Sequence, residues 1–276
     1  METNSTLIIR PKAKWHFMNV KELWDARELF YILAWRDIKI RYKQTFVGVG
    51  WVLFQPLVST IIFTVFFGNF AKIPSQDLPY PVFVLLGLIF WGFFSTALSH
   101  AASSFIENDQ LVRKVYFPRE ILPLSSVVTA CIDFLVSFVM LMIVGAFYRV
   151  HISLAFILML CIGLCITIIS ASGIGLLLAS INIKYRDVRY ILPFFLQLMI
   201  FVTPVIYPLN IVRPSFQFFL ALNPMTGVID GLRTSLATGV IVHPETLAIS
   251  LLASIVVFCI GILYFRRTES FFADII

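Results

Sequence analysis

Asp133 and His100 interrupt the long apolar runs of this sequence, and Asp230 and Arg233 stand three apart in a shorter one. A carboxylate and an imidazole inside hydrocarbon can pass protons, but ion-coupled pumps arrange several such groups in series. That series is missing, so Asp133 reads as a structural residue bonded to a neighbouring helix rather than as a proton carrier. Asp230 and Arg233 can pair on one helical face, which would lower the cost of burying each. Cys161 and Cys165 have a spacing that suits a metal or redox pair, yet no His or carboxylate accompanies them. With Cys131 and Cys259 they are expected to be small buried apolar side chains, and no metal site is expected. The histidines (His16, His100, His151, His243) are scattered, which argues against an enzyme acting on membrane lipids. No G-x-x-x-x-G-K-[S/T] occurs, and "GVGW" at 48–51 lacks the lysine. Without a phosphate loop the chain is not expected to be an enzyme or to bind a cofactor itself.

The elements that carry these residues are set by composition. With 59% hydrophobic and 13% charged residues, against about 25% charged in a soluble domain, the chain is all-α and integral to a membrane. Apolar runs long enough to span fall near 47–70, 81–104, 121–148, 152–181, 191–207 and 246–265, the fifth being shortest. No cleavable signal peptide is expected from the polar, aromatic first 46 residues. Of 21 Lys and Arg, all but Lys72, Arg149, Arg213 and Arg233 fall on one side of these six spans, which places both termini in the cytoplasm. The net charge of +6 therefore reflects topology and anionic headgroups, not nucleic acid. No internal repeat of the kind that builds two-halved carriers is found. The division is a cytoplasmic segment, 1–46, followed by a transmembrane domain, 47–276.

Within 21–44, Tyr31, Trp35, Ile38 and Tyr42 share a stripe with Arg36, Lys39, Arg41 and Lys43 beside it. That pattern predicts an amphipathic helix in the cytoplasmic interface, or one packed on a partner. "ENDQLVRKVYFPRE" (107–120) separates the second and third runs. Asn108 or Asp109 can cap a helix start, Arg113 and Lys114 suit its end, and Pro118 stops it. Leu111, Val112, Val115 and Tyr116 would form an apolar strip on a helix of about ten residues, or the segment is a simple interfacial turn. On the outer side, 208–245 is too apolar for a free loop and its pieces are too short to span. Asn223, Pro224 and Gly239 predict two short re-entrant helices, or a structured hairpin. Trp51 and Phe54 on the first run, and Phe194 and Phe201 on the fifth, share faces that either grip sugar C–H groups or meet lipid. Gln55–Pro56, Pro193, Pro204 and Pro208 mark kinks in those two runs.

The runs "RYKQTFVGVGWVLFQPLVSTIIFTVFFG" (41–68), "PYPVFVLLGLIFWGFFSTAL" (79–98), "LVRKVYFPREILPLSSV" (111–127), "INIKYRDVRYILPFFLQLMIFVTPVIYP" (181–208), "NPMTGVIDGLR" (223–233) and the tail "YFRRTESFFADII" resemble, in order, the type-2 ABC exporter permeases that move polysaccharides. Permeases of O-antigen (lipopolysaccharide) exporters are the nearest likeness, over roughly residues 25–276. The resemblance implies that Glu107, Asn108, Asp109, Leu111, Val112, Arg113, Lys114, Val115, Tyr116 and Phe117 form a coupling helix docked on a nucleotide-binding subunit. It implies a second cytoplasmic contact at Tyr185, Arg186, Asp187 and Arg189, although the positive-inside rule alone accounts for basic residues there. Channel lining by Trp51, Phe54, Phe194 and Phe201 is implied in the same way. An outer gate is implied at Phe216, Phe219, Asn223, Asp230 and Arg233.

The function this implies is the permease subunit of an exporter carrying lipid-linked polysaccharide out of the cytoplasm of a bacterium, across its inner membrane. A homodimer would form the path, and two ABC-type subunits would bind ATP and Mg²⁺. The alternatives are a passive channel, an ion-coupled carrier, or an ABC exporter of capsule, teichoic acid or drugs.

Overall fold

The computed structural model describes residues 20–43 and 49–269. Expectations that fall on 1–19, 44–48 and 270–276 lie outside these, including the start of the first apolar run and most of the tail. Among the described residues every regular element is helical. Helices α1 (Val20–Asp25) and α2 (Arg27–Lys43) come first. Next is α3 (Val49–Phe63), which a π-helical stretch continues over Thr64–Phe70. Then come α4 (Tyr80–Glu107), α5 (Asp109–Lys114), α6 (Ile121–Phe147) and α7 (Leu154–Lys184). The chain ends with α8 (Val188–Val202), α9 (Pro214–Ala221), α10 (Pro224–Thr238) and α11 (Pro244–Thr268).

Among the described residues five helices are long and apolar enough to cross a membrane: Gly50–Phe70, Tyr80–Glu107, Ile121–Phe147, Leu154–Lys184 and Pro244–Thr268. The fifth expected run yields only the 15 residues of α8, about 22 Å of helix. It stops at Val202 because Pro204 lacks an N–H and its ring disfavours helical backbone at Thr203, which is extended at φ −72°, ψ 139°.

Helix α4 is the axis of the bundle. Its residues Val82–Leu86 are buried on every side, and α6, α7 and α10 pack around it. Helices α7 and α11 approach through glycine. A Cβ on Gly261 would stand 2.1 Å from the Gly173 carbonyl oxygen, so only backbone without side chains fits the crossing. A second apolar cluster closes one end of the bundle, joining Phe105, Val112, Phe117 and Ile121 to Ile183 and Phe265.

Two expectations are corrected here. Helix α2 does not present Tyr31, Trp35, Ile38 and Tyr42 as one stripe to a single medium. Leu33 and Ala34 are buried, with Leu29 and Phe30 packed beside Leu33 on the second cluster. Tyr31 and Trp35 stack outward at 6.4 Å between ring centroids, with the Lys39 ammonium 5.5 Å from the indole. The helix thus lies on its own chain and keeps an aromatic, basic outer face, the composition of an interfacial surface. Cys161 and Cys165 are exposed on α7 rather than buried. A small apolar side chain loses nothing by facing hydrocarbon, so burial in protein is not required of it.

Candidate functional site

Three places bring the sequence-predicted residues together. The first is the closed end of the bundle, where 107–117 proves to be two pieces rather than one helix. Glu107 ends α4, α5 covers only Asp109–Lys114, and Val115 is extended at φ −127°, ψ 134°. Asn108 does not cap α5 with its side chain. Its amide donates to the Ser104 carbonyl at 2.8 Å, and its oxygen accepts from Arg36 Nη2 at 2.7 Å, a contact with α2. The expected apolar strip is also divided. Val112 and Phe117 are anchored in the second cluster and Leu111 rests against it, while Val115 and Tyr116 turn outward, Tyr116 being 89% exposed. Charged Arg113 and Lys114 stand beside them in the open. The result is a segment rooted in the bundle by Val112 and Phe117 and carrying an exposed aromatic and two exposed cations. Ile183 of α7 packs in the same cluster, so the turn formed by Tyr185, Arg186 and Asp187 opens at the same end. Tyr185 and Arg189 are exposed there, each side chain paired with a neighbour: Lys184 over the Tyr185 ring at 5.1 Å, Arg189 over Tyr190 at 4.7 Å.

The second place is the opposite end. Asn223 caps α10, accepting from the Met225 N–H at 3.1 Å and donating to Thr203 Oγ1 at 2.8 Å, and Gly239 closes the helix at φ 74°. The Asp230–Arg233 pair expected from spacing does not form. The chain leaving α8 bends without helix, and its carbonyls need donors. Arg233, only 1% exposed, supplies them to Pro204 at 2.6 Å, Tyr207 at 3.3 Å and Val205. It also donates to the Phe83 carbonyl at 2.9 Å and lies 3.4 Å from the Phe83 ring. Asp230, buried, is instead held by His243 Nδ1 at 2.8 Å, with Gln76 Nε2 at 3.5 Å. The spacing of Asp230 and Arg233 carried no sign of these long-range partners. Helix α10 is buried almost throughout, whereas Phe216 and Phe219 of α9 are exposed.

The third place is a cavity of about 880 Å³ between α3, α4, α6 and α8. Trp51 and Gln55 line it from α3, Trp91 from α4 and Gln197 from α8. Of the four aromatics singled out for channel lining, only Trp51 reaches it; Phe54, Phe194 and Phe201 are exposed on the outside of this chain. Missed by the sequence reading is the clasp at its edge. Arg41 donates through Nη1, and Tyr42 through its hydroxyl, to the two oxygens of Asp133. Arg41 Nη2 lies 2.5 Å from His100 Nε2. Burial, and after it the Asp133 carboxylate, hold the Tyr42 phenol well above its usual range, so it remains a donor. Asp133 is thus bonded to a neighbouring helix, as expected. Among the described residues no three His, Cys, Asp or Glu gather in a way that could hold a metal ion.

Residues 28–237 match the family model described as ABC-2 type transporter. The chain is 32% identical over 216 residues to the O-antigen export system permease protein RfbA of Myxococcus xanthus, covering 76% of this chain and 80% of that one. It is 25% identical over 265 residues to the protein of the same name in Klebsiella pneumoniae, covering 94% and 100%. To the polysialic acid transport protein KpsM of Escherichia coli it is 22% identical over 238 residues, covering 85% and 91%.

Proposed function

The chain belongs to the ABC-2 type transporter family, and we propose that it is the membrane subunit of an ATP-driven exporter whose cargo is lipid-linked polysaccharide. Two copies enclose the path, and two separate subunits beneath them bind ATP and Mg²⁺. Each copy crosses a bacterial inner membrane six times, with α8 as the short fifth span, 1–46 as a cytoplasmic segment, 47–276 as the transmembrane domain and both termini inside. Helices α9 and α10 enter the membrane from outside and gate the exit. The relatives named for O-antigen export and polysialic acid transport support the cargo class.

The observation that carries the reading is the split within 107–117. A free surface turn has no need of Val112 and Phe117 sunk in a core, and a core segment does not leave Tyr116 in the open. A segment rooted in the bundle and bare at its tip transmits force from a protein docked on it. Hydrolysis in that partner moves α5, and the second cluster passes the movement to α6, α7 and α11. The turn at Tyr185–Arg189 is the second contact.

The test is transport in vesicles holding the complex and a lipid-linked glycan, read by a glycan-cleaving enzyme added outside. Cleavage that needs ATP and the ATPase subunit is the expected result. Cleavage at the same rate without that subunit would make the chain a passive channel.

A further inference from the structure

We infer that the cavity between α3, α4, α6 and α8 forms part of the path that two copies enclose, and that it is built for glycans without net charge and discriminates against chains bearing an acidic sugar in each repeat. This rests on the export reading above and adds the charge class of the cargo.

Arg41 and Asp133 are the only charged side chains among the described residues that line the cavity. They are clasped to each other, and Tyr42 and His100 take up further valences of the pair. The remaining polar lining is neutral: Gln55, Ser59, Ser95, Thr96, Ser137 and Gln197. Amides and hydroxyls donate and accept, so they serve sugar hydroxyls in many orientations. Trp51 and Trp91 add flat apolar faces. A carboxylate drawn into the same space loses its water and needs a cation in return. Arg41, the one Lys or Arg among the described lining residues, is already answered by Asp133, so the pair offers an incoming carboxylate no net positive charge. A neutral repeat meets no such barrier, whereas an acidic polymer meets it at every repeat.

The experiment uses the whole complex in vesicles and two lipid-linked chains of equal length. One is made of neutral hexose repeats, the other of the same repeats each bearing one uronic acid. Wild type is expected to export the neutral chain about tenfold faster or more. Asp133→Asn removes the carboxylate that faces Arg41, leaving the site with a net positive charge, and narrows that ratio; the double variant Arg41→Gln/Asp133→Asn restores it. Because Asp133→Asn also removes a partner of Arg41, Gln55→Arg provides a separate route: a new cation in the lining narrows the ratio, and Gln55→Glu widens it. Equal export of the two chains by wild type, or a ratio that none of these substitutions moves, overturns the inference while leaving the export reading intact. Export of neither chain by a complex that hydrolyses ATP overturns both.

Discussion

Arg266 Nη2 meets Glu120 Oε1 at 2.7 Å, with 10% and 2% of the two side chains left exposed. Arg266 also holds Glu269 at 3.2 Å, and Arg119 donates to the Glu269 carbonyl at 2.7 Å. The end of α11 is therefore fastened to the residues that lead from α5 into α6. Removing one partner of a buried ion pair strands the other charge, whereas replacing both with apolar residues is often tolerated. Glu120→Ala should lower stability by about 3–5 kcal/mol, read as a fall in the thermal midpoint of the purified protein in detergent. Glu120→Leu/Arg266→Leu should lose much less than the single change; an equal or larger loss would remove the ion pair as the cause.

Arg233 is expected to be irreplaceable at the end of the bundle opposite α5. Arg233→Lys keeps the charge but not the fork that reaches several carbonyls, so it should resemble Arg233→Gln rather than wild type. Both should cost about 3 kcal/mol or more, because carbonyls of Pro204, Val205 and Tyr207 lose a buried donor. Limited proteolysis between 203 and 213 should become faster in both variants. A lysine variant as resistant as wild type would show that charge alone suffices.

The glycine crossing gives a paired prediction. Gly261→Ala places a methyl group 2.1 Å from a backbone oxygen and should destabilise by about 1–3 kcal/mol. Gly145→Ala, in α6 with nothing within 4 Å of the new carbon, should be neutral or stabilising by about 0.5–1 kcal/mol. Thermal midpoints of the two variants should move in opposite directions or differ clearly in size.

Within residues 107–117, Tyr116→Asp should leave the stability within about 0.5 kcal/mol of wild type, read as a nearly unchanged thermal midpoint, since the side chain is exposed. It should nevertheless cut export sharply. Leu111→Asp should also uncouple export from ATP hydrolysis, with a larger stability cost because Leu111 touches the second cluster. Full export by either variant would count against docking at this segment.

The long apolar runs were readable because hydrocarbon demands continuous apolar helix, and the caps of α10 were readable because Asn223, Pro224 and Gly239 act locally. Long-range partners were not. Nothing in the local sequence sends Asp230 to His243 rather than Arg233, or spends Asn108 on Arg36. Facing was also hidden: Trp51 and Phe54 lie three apart and stack at 5.5 Å, yet only Trp51 lines the cavity. In a membrane both sides of a helix are apolar, so hydrophobic periodicity, which sorts faces in soluble proteins, carries little information here.

The most direct measurement is a gentle pull-down of the tagged chain from its native membrane, with bound proteins identified by mass spectrometry and the eluate assayed for ATP hydrolysis. A roughly equimolar partner carrying a phosphate loop, retained by wild type and released by Tyr116→Asp, is the predicted result. A chain recovered without any ATPase would reduce residues 107–117 to an interfacial turn and contradict the account.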